Sequence, residues 1–160
     1  MKKIIYLVAA LLSIIGCKEK NPDNGDTPTP PVPEVTLAEK IEGQWHCVVS
    51  DIDADLWLSI SADSSFELYQ QIGEGSHRLY RGTWTLDEKQ AELSGKYNDG
   101  TSWGSSYAVT ISEDGNSMTL SPENAPAKED HIYRKEDIPA EVTENCVVIV
   151  KSETDIEPAL

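Results

Sequence analysis

The stretch Thr36-Leu-Ala-Glu-Lys-Ile-Glu-Gly43-Gln44-Trp45 reads as one turn of helix running directly into a β-strand. Thr36 and Glu39 stand at capping-box spacing, so the hydroxyl can take one orphan helix N–H while the carboxylate reaches back to another. Gly43 ends the turn, because a left-handed cap has no room for a Cβ. Trp45 opens an alternating run and is large enough to plug the end of a small barrel.

Outward from Trp45 the chain is a series of short β-type runs separated by turn residues. The runs are Trp45–Val49, Leu56–Ile60, Phe66–Ile72, Leu79–Leu86, Ala91–Lys96, Ser106–Ser112, Met118–Leu120 and His131–Lys135. Leu56, Leu58 and Ile60 alternate with Trp57 and Ser59; Phe66, Leu68 and Gln70 alternate with Glu67 and Tyr69; Tyr107, Val109 and Ile111 alternate with Ala108 and Thr110. Asp63-Ser-Ser, Gly73-Glu-Gly, Asp87-Glu-Lys, Asn98-Asp-Gly and Glu113-Asp-Gly-Asn supply the turns between them. The expectation is an all-β domain: a small up-and-down antiparallel barrel of about eight strands, closed so that no edge is left to aggregate.

The helical turn followed by Gly43-Gln44-Trp45 resembles the start of the lipocalin family. Tyr80-Arg-Gly-Thr-Trp-Thr-Leu86 and His131-Ile-Tyr-Arg134 are similar to strands of bacterial lipocalin-like lipoproteins. The resemblance covers residues 36–135 and implies a lipocalin-like barrel in which Arg134 lies across the Trp45 indole, with Gly43 completing the closure. Gly43 to Lys135 is only 93 residues with tight hairpins, and side chains can nearly fill an eight-stranded interior.

Residues 136–160 form an extension. Cys146-Val-Val-Ile-Val150 is too short for a helix and reads as a strand buried on both faces. In lipocalins an extra strand after the barrel lies against the first strand. If this run takes that place, Cys47 and Cys146 come together, as a disulfide or as two buried thiols.

The opening of the chain is an address. Lys2-Lys3 and the apolar run from Ile4 to Ile15 have the form of a signal peptide over residues 1–16, too short to span a bilayer. Leu12-Ser13-Ile14-Ile15-Gly16-Cys17 resembles a bacterial lipobox. It implies diacylglyceryl modification of Cys17, anchoring through several acyl chains, and placement in the outer membrane. Residues 17–35 carry five prolines and little to bury, a polyproline-type stalk. Formal net charge is −15, and it becomes −17 when Lys2 and Lys3 leave with the signal. That field disfavours nucleic acid and favours solubility, cations or a basic partner.

Residues for chemistry are few. Asp51, Asp53 and Asp55 stand two apart and could form a weak surface cation site. An EF-hand is excluded, because Leu56 and Ala62 occupy its glycine and bidentate acid positions. His46, His77 and His131 show no zinc spacing, and no serine lies in a Gly-x-Ser-x-Gly elbow. His46 is opposite in parity to Trp45 and Cys47, so one of these sets faces out. Trp103 and Tyr107, at a hairpin end, are candidates for ligand or partner contact, with Trp103 alternatively a lid over the barrel mouth. The expectation is a non-enzymatic module without cofactor, binding a small apolar ligand near Trp45 or Trp103. The alternatives are a filled barrel that acts on a basic protein through its surface, or a subunit of a surface assembly.

Overall fold

Thr36 caps α1 (Leu37–Ile41) in the way its spacing requires. Its Oγ1 accepts from the Glu39 N–H at 3.2 Å, and Glu39 Oε2 accepts from the Thr36 N–H at 2.8 Å. The structure, a computed structural model, describes residues 34–123 and 129–160. The segments expected to be a signal peptide, a lipidated Cys17 and nearly all of a stalk therefore lie outside the described residues. The turn leads through Gly43, at φ +130°, into β1 (Gly43–Val49). The Trp45 indole N–H donates to the Ile41 carbonyl at 2.8 Å, tying helix to strand in a buried position.

The following strands are β2 (Ala54–Ile60), β3 (Ser65–Ile72), β4 (Arg78–Asp87), β5 (Glu92–Tyr97), β6 (Tyr107–Ile111), β7 (Ser117–Pro122) and β8 (His131–Lys135). Each pairs antiparallel with the next, and β8 pairs back onto β1, closing an eight-stranded up-and-down barrel. The period-two pattern decides what points in. Trp45, Cys47, Leu56, Leu58, Phe66, Leu68, Tyr80, Trp84, Leu93, Tyr97, Tyr107, Val109, Met118, Leu120 and Tyr133 share one buried cluster inside. The end carrying α1 is thereby filled.

Outside, the register aligns His46, Trp57, Tyr69 and Leu79 in one row across β1 to β4. Three of these are apolar yet buried, because α2 (Ala140–Glu144) lies over them and adds Val142 to a second small core. Beyond α2, the two-residue β9 (Val147–Val148) pairs parallel with Arg78 and Leu79 of β4. That edge is open because β5 ends at Tyr97, opposite Gly82. The extra strand therefore runs beside β4 and not beside the first strand, and its valines are exposed rather than buried on both faces.

The same geometry separates the cysteines. Cys47 points into the barrel, whereas Cys146 packs against the outer cluster under α2. Both are free thiols and no disulfide joins them.

Candidate functional site

The barrel end opposite α1 carries the loops after β1, β3, β5 and β7. Here the chain beyond β9 turns back and inserts into its own barrel. Pro158 is buried and Leu160 is only 1% exposed, within the interior cluster. Polar side chains on the inward faces meet this segment's main chain. Gln70 Nε2 donates to the Glu157 carbonyl at 3.0 Å, and its Oε1 accepts from the Ala159 N–H at 2.7 Å. Tyr107 donates to the Ala159 oxygen at 3.0 Å, and Tyr97 to the Leu160 oxygen at 2.6 Å. Tyr80 makes a longer contact of 3.4 Å with the Ile156 oxygen.

Gln70 is 1% exposed on a strand face it shares with Phe66 and Leu68. Burial of such an amide is tolerable only when its donor and acceptor are both engaged. Burial holds the Tyr97 phenol far above its usual range and pushes Tyr107 up to about 12. Both therefore remain neutral donors at ordinary pH. Beside the segment lies a cavity of about 400 Å³ lined by Val49, Ile52, Ala54, Leu56 and Ile72 on one side and by Pro158 and Ala159 on the other, with Gln70, Glu129, His131 and Glu157 as its polar members. Its volume falls in the range of small-ligand sites.

A second polar cluster sits on the outer wall. Asp55 Oδ1 meets His46 Nε2 at 2.7 Å, and its Oδ2 meets His77 Nε2 at 2.9 Å and the Trp57 indole N–H at 3.0 Å. His46 also meets Glu136 through Nδ1 at 3.0 Å and stacks on Trp57 at 3.8 Å. Burial alone would raise the Asp55 pKa; the hydrogen bonds from His46, His77 and Trp57 outweigh it and hold the carboxyl below its usual value.

The residues singled out by the sequence fall in several places. Gly43 and Trp45 meet at the closed end, but the cation over the indole is Lys135, with Nζ 5.2 Å from the ring, and not Arg134. Trp45 is the register partner of Lys135; Arg134 pairs with His46 and points outward. A Cβ on Gly43 would come within 3.1 Å of the Lys135 chain, so the glycine also makes way for that cation. Trp103 is neither an open binding group nor a lid on the mouth. Its backbone N–H donates to the Gly95 carbonyl at 3.0 Å, and its ring packs edge-on to Phe66 and Tyr107. It fills the wall where β5 and β6 share only two residue pairs. Tyr107 is buried and reaches the inserted segment through its hydroxyl.

Of the three aspartates, Asp53 is an exposed left-handed turn residue. Asp55 has both oxygens engaged by the histidines and Trp57. Among the described residues no group of three or more His, Cys, Asp or Glu side chains is placed to hold a metal ion. Nor is any described helix long and apolar enough to cross a membrane. Gln70 and the 156–160 segment were not anticipated as a site. Their signal was a glutamine on an inward parity position and the alternating Ile156, Pro158 and Leu160.

No protein-family model matches this chain, and no curated protein matches it. A solved NMR structure of a protein from Bacteroides uniformis ATCC 8492 superposes with a TM-score of 0.52 at 15% identity. The match covers 64% of this chain and 94% of that one. At that identity the likeness concerns the fold. The chain is an all-β protein with a closed, eight-stranded, lipocalin-like barrel, a short capping helix and an extra bonded strand.

Proposed function

We propose that this protein is a lipid-anchored, non-enzymatic binding module whose barrel mouth takes a small apolar ligand. The observation that carries the reading is the cavity of about 400 Å³ at the mouth, walled by Val49, Ile52, Ala54, Leu56 and Ile72. Apolar walls with a few convergent polar groups are the usual composition of small-ligand sites. In this reading Cys17 holds the module at the outer membrane through the proline-rich stalk.

Titration of the protein with N-phenyl-1-naphthylamine, read by dye fluorescence, tests the pocket. One equivalent should bind, and Ile72→Glu, which places a charge on a half-exposed lining position, should weaken binding by about tenfold or more. Equal binding by both proteins, or none by the parent, would refute the pocket as a ligand site.

The filled interior supports a second reading, a barrel that acts on a basic protein through its acidic exterior. Capture of such a partner should then disappear as salt screens the attraction.

A further inference from the structure

We propose that the barrel mouth is a binding site for an extended peptide, with Ile156–Leu160 as its resident occupant, displaced when a peptide of like chemistry arrives from another molecule. The proposal rests on the mouth being the ligand-binding end and names the class of ligand.

The argument begins with what the interior groups recognise. Gln70 offers a donor and an acceptor that straddle Pro158, reaching Glu157 on one side and Ala159 on the other. A neighbouring strand in a parallel ladder presents the same pair, donating to the carbonyl before its partner residue and accepting from the N–H after it. Tyr107 and Tyr97 then donate to the next two main-chain oxygens. These contacts read backbone, so they suit any extended segment whose side chains fit. An apolar ligand can sit beside the segment, but one that displaced it without a row of oxygens would leave Gln70 and the phenols unpaired in a buried place, an arrangement that is strongly disfavoured.

The fit of the resident segment is incomplete. Leu160 is buried among the interior side chains, but the space beside Pro158 and Ala159 is empty to about 400 Å³. A segment with a larger apolar residue in place of Ala159 would fill that space while keeping every main-chain bond. From behind, the resident segment is fastened by the Lys151–Glu157 ion pair at 2.9 Å and by the Ser152 N–H on Asp99 at 2.7 Å. It follows a two-residue parallel strand with exposed valines and one short turn (Lys151–Glu153), and it belongs to none of the barrel strands. It can leave without unpairing the barrel.

The test is fluorescence anisotropy on the full chain with a fluorescein-labelled peptide of sequence Thr154–Leu160. In the parent protein the tethered segment competes at high effective concentration. Leu160→Asp, which cannot bury its charge, should expel it and tighten peptide binding by about 100-fold. A peptide carrying Ala159→Leu should bind that variant about tenfold tighter than the parent peptide, because it adds three carbons to an apolar void. Adding Gln70→Leu to the variant should weaken binding by about tenfold or more.

Circular dichroism checks that the barrel is folded. If Leu160→Asp is not, Ala159→Pro, which removes the N–H that Gln70 accepts, takes its place. A folded variant that binds the peptide no better than the parent overturns the proposal. If such a variant still binds the naphthylamine dye, the apolar pocket stands and only the peptide assignment falls. If it binds neither, both fall. Tight peptide binding without dye binding supports the peptide site and removes the small-ligand reading.

Discussion

Gln70→Leu separates the inserted segment from the barrel that holds it. Leucine has nearly the glutamine's volume, and the side chain is 1% exposed beside Leu68 and opposite Leu56. The barrel therefore loses a buried amide and gains apolar contact, a change of about 1 kcal/mol or less in either direction. The inserted segment loses two partners, because the Glu157 carbonyl and the Ala159 N–H both bond to that amide. At about 1–3 kcal/mol for each buried group left unpaired, docking should weaken by about 2–4 kcal/mol. At 1.4 kcal/mol per decade that is about 30- to 1,000-fold in the docking equilibrium. Native-state hydrogen exchange reads both halves of the prediction. Protection of the Ala159 amide should fall by about that factor, while the ladder amides of β2 and β3 keep theirs. The reasoning is refuted if Ala159 protection is unchanged, or if strand and segment amides lose protection together. The second result would make the segment part of the barrel's cooperative unit.

At Gly82 an added Cβ would lie 1.9 Å from the Lys96 carbonyl oxygen and 2.7 Å from the Phe66 ring. Gly82→Ala should thus force β4 from β5 and cost about 3 kcal/mol or more in urea unfolding. Gly73→Ala, at φ +63° with open space around it, should cost only about 1–2 kcal/mol; equal losses would contradict the close approach at Gly82. The Asp55 carboxyl is held below its usual pKa in a cluster with His46, His77 and Trp57, with Glu136 facing His46. A depressed carboxyl stabilises the fold above its unfolded pKa of about 3.9, and the contribution is lost as pH falls through the folded value. Asp55→Asn should therefore be less stable at pH 6 and lose stability less steeply below pH 4, whereas parallel curves would count against the network. Burial pushes the Cys47 thiol up to about 11, so iodoacetamide should label Cys146 in the native protein and Cys47 only on unfolding, as read by mass. A non-reduced mass two hydrogens light would restore the disulfide. Cys17→Ala should abolish labelling by a fatty-acid analogue and release the protein from membranes; unchanged retention would remove the lipid anchor.

What could be read from the sequence, and what could not, follows from the range over which each feature is decided. The barrel strands were legible because one face repeats every second residue: Leu56, Leu58 and Ile60 need no knowledge of distant chain to be placed inward. The capping box was legible for the same reason, since Thr36 and Glu39 settle it between themselves. Arg134 was misplaced because a resemblance was followed in place of the period of two. With Tyr133 inward, Lys135 shares its parity and faces Trp45. Cys47 and Cys146 could not be kept apart without knowing that β4 leaves an open edge above Gly82, which draws the later strand away from β1. Trp57, Tyr69 and Leu79 blurred the alternation because α2, some sixty to eighty-five residues further along, covers them.

Gln70 is the instructive case. Its position on an inward face was visible, and a buried amide must be answered by a donor and an acceptor. The neighbouring strands cannot supply both through side chains, since Leu56 opposite on β2 is apolar and Arg78 opposite on β4 has donors but no acceptor. A polar group on an otherwise apolar inner wall is therefore a sign that something polar enters the barrel. Here main chain from 157–159 answers it, and the neighbouring tyrosine hydroxyls continue the row. The wall is built to receive a backbone, and which backbone occupies it is a matter of competition.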